Sequence, residues 1–264
     1  MQLTELLIYP VKSCGGIALS QVSLDRFGPA GDRRWLVVDT AGRFITQRET
    51  AALALVRVAR SVAGLCLTAG DSSLDVAEPG AEASRLEVQV WQDRVPALDA
   101  GDRAARWLGR VLGRDCRLVY MPDNARRPVD PRYATAGETV SFADGFPLLL
   151  ISQGSLDELN RRLDQPVPMN RFRPNLVVDG CEPFAEDRWE RIRIGAVELR
   201  VVKPCARCVV PSIDQHSGRR DPQINRVLAS FRRRDGNILF GQNLLYEAPG
   251  TLRRGDPVEV LARR

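Results

Sequence analysis

Short apolar runs, broken about every ten residues by glycine or charged turns, dominate this chain and restrict it to folds built from many short strands. In the first half, strands are expected at 3–11, 20–25, 34–39, 43–46, 53–59, 64–68, 74–76, 86–90, 94–97 and 116–120. In the second half they are expected at 175–178, 191–194, 196–202, 209–213, 238–240, 243–247 and 257–261. Two segments change period. Over 101–113, Ala104, Trp107, Leu108, Val111 and Leu112 share a helical face, with Asp102 as the expected N-cap and Gly113 as the C-cap. Over 152–163, Leu156, Leu159 and Leu163 do the same behind an N-cap at Ser152. Strands and helices do not alternate, and neither a GxGxxG nor a P-loop is present, which excludes a doubly wound nucleotide-binding sheet. The polar, proline-rich stretch from Met121 to Arg132 is the best connection between two units. The expected fold is mainly β (α+β), in two lobes at 1–121 and 122–264.

Composition narrows the function. A chain of 264 residues suits two ordinary domains, and 44% hydrophobic with 27% charged residues is far from disorder. No apolar run is long enough for a membrane helix. The start, Met-Gln-Leu-Thr-Glu, has neither a basic head nor an apolar stretch, so a cytoplasmic location is expected. Six cysteines without a secretory start read as free thiols rather than a disulfide framework. A single histidine, His216, argues against a zinc or iron site built on imidazoles. The net charge of +5 fits a nucleic-acid surface, an anion-binding site or plain solvated surface. The one dense run, Arg232-Arg233-Arg234, stands in a loop-like stretch without alternating aromatics, so nucleic acid is not expected as a partner.

Chemistry concentrates at Lys203-Pro204-Cys205-Ala206-Arg207-Cys208. A C-x-x-C pair has four readings: half a zinc site, a redox dithiol, a thiolate for a soft metal whose other ligands come from a cofactor, or an inert buried pair. No second C-x-x-C completes a zinc site, and the β-branched run that follows is not the helix of a thioredoxin-like dithiol. Elsewhere, Lys12-Ser13, Arg33 and Arg173-Pro174-Asn175 each sit at an expected strand end, where binding residues collect. Together they suggest an anionic ligand with a phosphate. Cys14, Cys66 and Cys116 are expected to pack as small apolar residues. Asp214, six residues past Cys208, is either a substrate-facing group or an ordinary turn aspartate.

Several motifs, in order, resemble the MOSC family in the form that carries an N-terminal β-barrel domain. They are Tyr-Pro-Val-Lys-Ser-Cys-Gly-Gly at 9–16, Asp-Arg-Arg-Trp at 32–35, Ile-Thr-Gln-Arg at 45–48 and Phe-Ala-Asp-Gly-Phe-Pro at 142–147. Phe-Arg-Pro-Asn-Leu-Val-Val at 172–178, Glu-Asp-Arg-Trp at 186–189, Lys-Pro-Cys-Ala-Arg-Cys at 203–208, Phe-Gly-Gln-Asn at 240–243 and Gly-Asp-Pro-Val at 255–258 continue the series. Among its members, the chain resembles the bacterial YcbX-like and amidoxime-reducing component types.

The resemblance implies a β-barrel-like N-terminal lobe, a MOSC β-barrel, and a molybdenum–molybdopterin cofactor in a groove between them. It implies Cys208 as the metal ligand and catalytic centre, with Cys205 as its neighbour. Lys12, Ser13, Arg33, Arg173 and Asn175 would hold the pterin and its phosphate, with Arg207 beside the metal ligand and Asp144 in a cofactor-facing loop. Gly145 and Phe146 stand where mitochondrial members have hydroxyl residues, leaving backbone N–H groups there. The implied activity is reduction of N-hydroxylated compounds such as hydroxylaminopurines, amidoximes or hydroxylamines; a molybdopterin or sulfur carrier is the alternative. YcbX-like members often continue into a ferredoxin-type domain. The cysteines here lack the C-x4-C-x2-C spacing of its cluster, so electrons are expected from a separate ferredoxin-like, flavoprotein or cytochrome-type reductase.

Overall fold

The first strand, Gln2–Ile8, pairs with the short Ile17–Ala18 on one side and with the second half of the chain on the other. In the computed structural model, which describes residues 1–264, it lies antiparallel to Leu176–Asp179, with Leu3 opposite Val178 and Leu6 opposite Leu176. That places it in the largest sheet, ordered Val258–Arg263, Trp189–Ile194, Val197–Ala206, Asn237–Tyr246, Leu148–Ser152, Leu176–Asp179, Gln2–Ile8, Ile17–Ala18. Only the pair Leu148–Ser152 and Leu176–Asp179 is parallel in this sheet. One face carries a core of Leu3, Leu6, Leu150, Leu176, Trp189, Ile192, Leu199 and Leu244, joined by Val22 and Leu24 from the N-terminal region. The helices Gln153–Asn160 and Gln223–Arg232 contribute to a second core with Ile151, Phe172, Val177 and Phe240.

The remaining strands form small sheets. Trp35–Val38, Arg117–Tyr120, Asp93–Asp99 and Arg85–Val90 make one, and Arg57–Arg60, Gly64–Ala69 and Ser72–Ala77 another. The helix Asp102–Leu112 lays Ala104, Trp107 and Leu108 on their shared core with Trp35, Leu67 and Leu118. The fold is therefore mainly β with three α-helices, as the strand spacing implies.

The differences from the sequence expectation have local causes. The 209–213 run is a single 3-10 turn, Val210–Ser212, because Pro211 has no N–H to give a ladder. The helix Gln223–Arg232 went unread, although Ile224, Leu228 and half-buried Val227 and Phe231 recur at helical spacing behind Pro222. Arg232 is consequently no loop residue: it is buried and donates to Asp187 at 2.7 Å. Leu148–Ser152 also went unread, since a strand covered on both faces lacks polar alternation. The 53–59 run divides into a 3-10 turn, Ala51–Leu55, and the strand Arg57–Arg60, and the 43–46 run forms only isolated bridges. Gly101, rather than Asp102, caps the first helix, and Asp102 accepts from Arg117 at 2.8 Å. The Met121–Arg132 stretch has no regular structure but buries Met121, Ala125, Arg127 and Val129.

The expected pieces 238–240 and 243–247 are one strand, Asn237–Tyr246, turning at Gly241. Gly241 has φ +84°, and a Cβ there would stand 2.7 Å from Ile151 Cγ1 and 2.8 Å from Leu150 O. Both the left-handed backbone and the backbone contact require glycine. Gly241→Ala is expected to lower unfolding free energy by about 2 kcal/mol or more in urea titrations. An unchanged midpoint would contradict this packing.

Candidate functional site

Strand ends and loops from both halves of the chain converge on a cavity of about 1060 Å³. Lys12, Ser13, Arg33, Asp144, Arg173, Asn175, Arg207 and Cys208 all line it, so the eight residues singled out from sequence meet on one wall system. Asp214 does not line it. That carboxylate receives Arg171 at 2.9 Å and the Ser217 hydroxyl at 2.9 Å, as a turn aspartate does.

Backbone strain marks the place. Ser13, Arg33 and Arg173 have φ of +69°, +47° and +56°, and the cavity-lining Trp91 has +58°. Non-glycine residues in the left-handed region cost free energy and persist where neighbours over-determine them. The neighbours are visible. Arg33 donates to Asp32 at 2.6 Å, to the Asn175 side-chain oxygen at 3.1 Å and to Arg173 O at 3.2 Å. Asp32 is buried and accepts from Tyr9 N at 2.7 Å. The Asn175 amide also accepts from Leu149 N at 3.2 Å and donates to Leu7 O at 3.1 Å, so it orients Arg33 while tying three strands together.

The Tyr9 ring lies against both arginines, 4.4 Å from the Arg33 guanidinium and 4.2 Å from that of Arg173. An aromatic face stabilises each cation and lets two like charges stand close. Burial, with the Arg33 charge nearby, lowers Arg173 to about 10. Burial pushes the Tyr9 phenol up to about 12, so it remains neutral.

Lys12 donates to Phe142 O and to Asp144, both at 2.7 Å. Burial lowers its ammonium to about 8, with Asp144 opposing and Arg127 and Arg33 reinforcing the shift. Desolvation at the cavity mouth raises the Asp144 carboxyl, but Lys12 and then Arg48 and Arg33 outweigh it and hold the group well below the usual carboxylate range. The buried Arg127 shapes this loop from behind, donating to Ser141 O at 2.8 Å and to Ala143 O.

The thiols enter on the strand Val197–Ala206. Its pairing with Asn237–Tyr246 slips between Val201 and Lys203 and again between Pro204 and Ala206. These bulges break the inward–outward alternation. Lys203, Cys205, Ala206, Arg207 and Cys208 therefore all reach the cavity. Arg207 donates to Cys205 Sγ at 3.1 Å and Phe172 O at 2.6 Å, while Cys208 Sγ receives only the Val210 N–H at 3.5 Å. Cys14 and Cys116 are buried, and burial pushes their thiols up to about 12 and about 11, as expected of inert packing.

Sequence reasoning missed four contributors. Gln47 and Gln215 exchange hydrogen bonds at 3.0 and 3.1 Å, and Gln47 also holds Ser13 O at 2.7 Å. The Arg48 guanidinium stacks 4.5 Å from Trp91, whose indole N–H donates to Asp144 at 3.3 Å. Gln47 and Arg48 lie inside the 45–48 motif already noticed, which was the available signal; Trp91 and Gln215 had none.

Three buried guanidinium nitrogens on this wall, Arg48 Nε, Arg173 Nη2 and Arg207 Nε, lack an acceptor within the protein. Each such donor costs about 1–3 kcal/mol if left unmet. An anionic, oxygen-rich ligand would satisfy them, and the thiol of Cys208 on the same wall suits a soft metal. The residues thus fit a phosphate-bearing, sulfur-ligated metal cofactor.

Comparison with known proteins gives the context. The model of the MOSC N-terminal beta barrel domain matches residues 1–115, and that of the MOSC domain matches 137–259. Mitochondrial amidoxime-reducing component 1 of Mus musculus is 35% identical, across 98% of this chain and 82% of that protein. The Homo sapiens counterpart is 33% identical over the same shares, 98% and 82%. Molybdenum cofactor sulfurase of Oryza sativa subsp. japonica is 33% identical across 94% of this chain but only 33% of its own length.

The charge of Lys12 gives the cavity a pH dependence. An unperturbed lysine keeps its proton to about 10.5, whereas the folded group loses it around 8. Between those values the unfolded chain binds more protons, so this burden on stability, present below pH 8, is relieved as pH rises toward 10.5. Attraction for an anion fades over the same window. The thermal stabilisation produced by inorganic phosphate should shrink as pH passes through about 8 and be small at every pH in Lys12→Met. A wild-type response that stays flat across that range would refute the role.

Proposed function

The chain belongs to the MOSC family, and on that premise we propose that it binds a molybdenum–molybdopterin cofactor in its cationic cavity and reduces N-hydroxylated compounds with electrons from a separate protein. The observation that carries this reading is the pairing of the acceptor-less arginine N–H groups with the Cys208 thiol on one wall.

When bound, the cofactor would supply the two-electron redox chemistry that N–O cleavage requires. The overall conversion breaks an N–O bond, consumes two electrons and two protons, and releases the amine or amidine and water. The chain's own residues bind and orient. Cys208 offers the protein's sulfur to the metal. Arg207 spans Cys205 and Phe172 O, which fixes the backbone on which Cys208 stands. Lys12, Arg33 and Arg173 would hold the phosphate and pterin, with Ser13 at the same turn. Asn175 holds Arg33 in place. Asp144 neutralises Lys12 at the rim and limits how much negative charge the ligand can bring. The names of the amidoxime-reducing relatives favour turnover on N-hydroxylated substrates.

A second reading has its own support. The similarity to molybdenum cofactor sulfurase spans 94% of this chain, which fits a carrier that hands on the cofactor or its sulfur without substrate turnover. The same cavity serves both readings, and reduction of a simple amidoxime by a dye reductant separates them.

Protein made in a host that synthesises molybdopterin should carry close to one molybdenum per chain. Cys208→Ala should abolish N-reduction and Cys205→Ala should keep most of it. Lys12→Glu and Arg173→Glu should yield folded protein largely empty of pterin, since a charge-assisted bond is worth about 1.5–3 kcal/mol and reversal costs more than deletion. Equal losses in both cysteine variants, or zinc in place of molybdenum, would refute the assignment. Full molybdenum with no turnover would favour the carrier.

A further inference from the structure

The net positive charge of this chain can be traced to one stretch of its sequence. Between Lys203 and Asn237 stand eight lysines and arginines against three aspartates, a balance of +5. The whole chain also balances to +5, so the rest of the sequence carries as many acids as bases. Some of these cations are spent inside: Arg207 faces the cavity and Arg232 is paired with Asp187 at 2.7 Å. Five are not. Arg219, Arg220, Arg226, Arg233 and Arg234 are exposed, and none is within ion-pair distance of a carboxylate, although eighteen such pairs exist in the molecule.

The fold gathers them around the thiol segment. The helix Gln223–Arg232 places Arg226, Ser230 and the following Arg233 at i, i+4 and i+7, on one outward face. Its inner face is locked by Ile224 and Leu228 in the core with Phe172 and Phe240. Asn225, beside Arg226, donates to Cys208 O at 3.0 Å. At its far end Arg233 pairs with Ile238, whose carbonyl receives Arg207 N at 2.7 Å. At its near end Arg220 bridges to Ile213 and donates to Arg48 O at the cavity rim. Between these anchors, Ala206 and Val209 are exposed on either side of Arg207 and Cys208. The result is a rigid, cationic face, about 15 Å along the helix axis, built directly over the backbone that carries Cys208. The helix Asp102–Leu112 also exposes Arg103, Arg106 and Arg110, but it contributes nothing to the cavity and makes no bond to 203–208.

We propose that this arginine face, centred on Arg226 and Arg233, is the docking surface for a small acidic electron-transfer protein that delivers electrons to the site behind Cys208. The inference rests on the proposed reductase reading. Arginines free of carboxylate partners, together with the exposed apolar Val209 beside Cys208, suit a carboxylate-rimmed partner: the charges steer encounter and orient it, and the uncharged residue allows close approach. Each N–O bond cleaved needs two electrons. A one-electron carrier therefore docks twice per turnover and leaves oxidised each time, while the two protons come from water. A nucleic acid would also answer to the charge, but the segment exposes no large hydrophobic aromatic to stack a base.

The test uses the full, cofactor-loaded chain and measures binding before activity. Affinity for an acidic two-iron ferredoxin and for an acidic b-type cytochrome is measured at low and moderate salt by titration calorimetry. The comparison is among wild type, Arg226→Glu/Arg233→Glu, and the control Arg106→Glu/Arg110→Glu, which makes the same change in net charge elsewhere. The expected result is salt-sensitive binding of at least one carrier, weakened about tenfold or more by the first pair and little by the control. Carrier-driven N-reduction should fall in step, while dye-driven reduction stays at the wild-type rate. Equal weakening by both pairs, or no binding of either carrier to wild type, overturns the proposal. Binding of a single-stranded oligonucleotide at moderate salt that the first pair alone abolishes would assign the face to nucleic acid instead. If the carrier binds as expected but no reductant drives N-reduction, the docking surface stands and the reductase reading fails.

Discussion

Two guanidinium groups are forced together at the ends of strands, and the rest of the site depends on the amide and carboxylate that keep them there. Asp32 and Asn175 hold Arg33, Arg33 holds the Arg173 carbonyl, and the Tyr9 ring packs against both guanidinium groups. Asn175 also bonds Leu7 O and Leu149 N, so the amide that orients the arginine is the one that closes the sheet around Gln2–Ile8. Removing it would loosen the strand pairing and the charge cluster together. Left-handed backbone at Ser13, Arg33 and Arg173 is stable only inside that frame.

The frame explains why the cavity belongs to neither half alone. Residues 9–48 bring Lys12, Arg33 and Arg48, and residues 172–208 bring Arg173, Arg207 and Cys208. The Gln47–Gln215 pair spans the seam and holds Ser13 O from one side and Arg173 from the other, the latter at 3.3 Å. A ligand seated there would touch both halves and stabilise their junction, because whatever binds only the folded form adds to its stability.

Several motifs that mark the family serve the scaffold. In Glu-Asp-Arg-Trp, Glu186 is fully buried and accepts from Ser152 N, Ser152 Oγ and Ser155 Oγ at 3.1, 2.9 and 2.7 Å, fixing the start of the helix Gln153–Asn160. Burial raises its carboxyl, and those donors oppose the shift. Asp187 receives Arg232 and the buried Gln242 of Phe-Gly-Gln-Asn, both at 2.7 Å. Such a pattern shows which motifs act through packing and which through the cavity only once partners are known.

Much of this was legible in the residues themselves. Strand spacing marked the mainly β class because turn residues punctuate short strands in any context. Cations at strand ends and the C-x-x-C pair marked the cavity residues because binding side chains collect where strands end in loops. The unread elements were those whose form depends on what covers them. Leu148–Ser152 is a strand because sheet neighbours satisfy it on both sides, and Val210–Ser212 is a turn because Pro211 cannot join a ladder. Trp91 and Gln215 carry no local signature, and only the folded chain sets one against Arg48 and the other against Gln47. Local chemistry fixed which residues could serve this protein. Only long-range pairing, which closes Gln2–Ile8 against Leu176–Asp179, decided which of them meet, because the distance between side chains is set by the sheet and not by their separation along the chain.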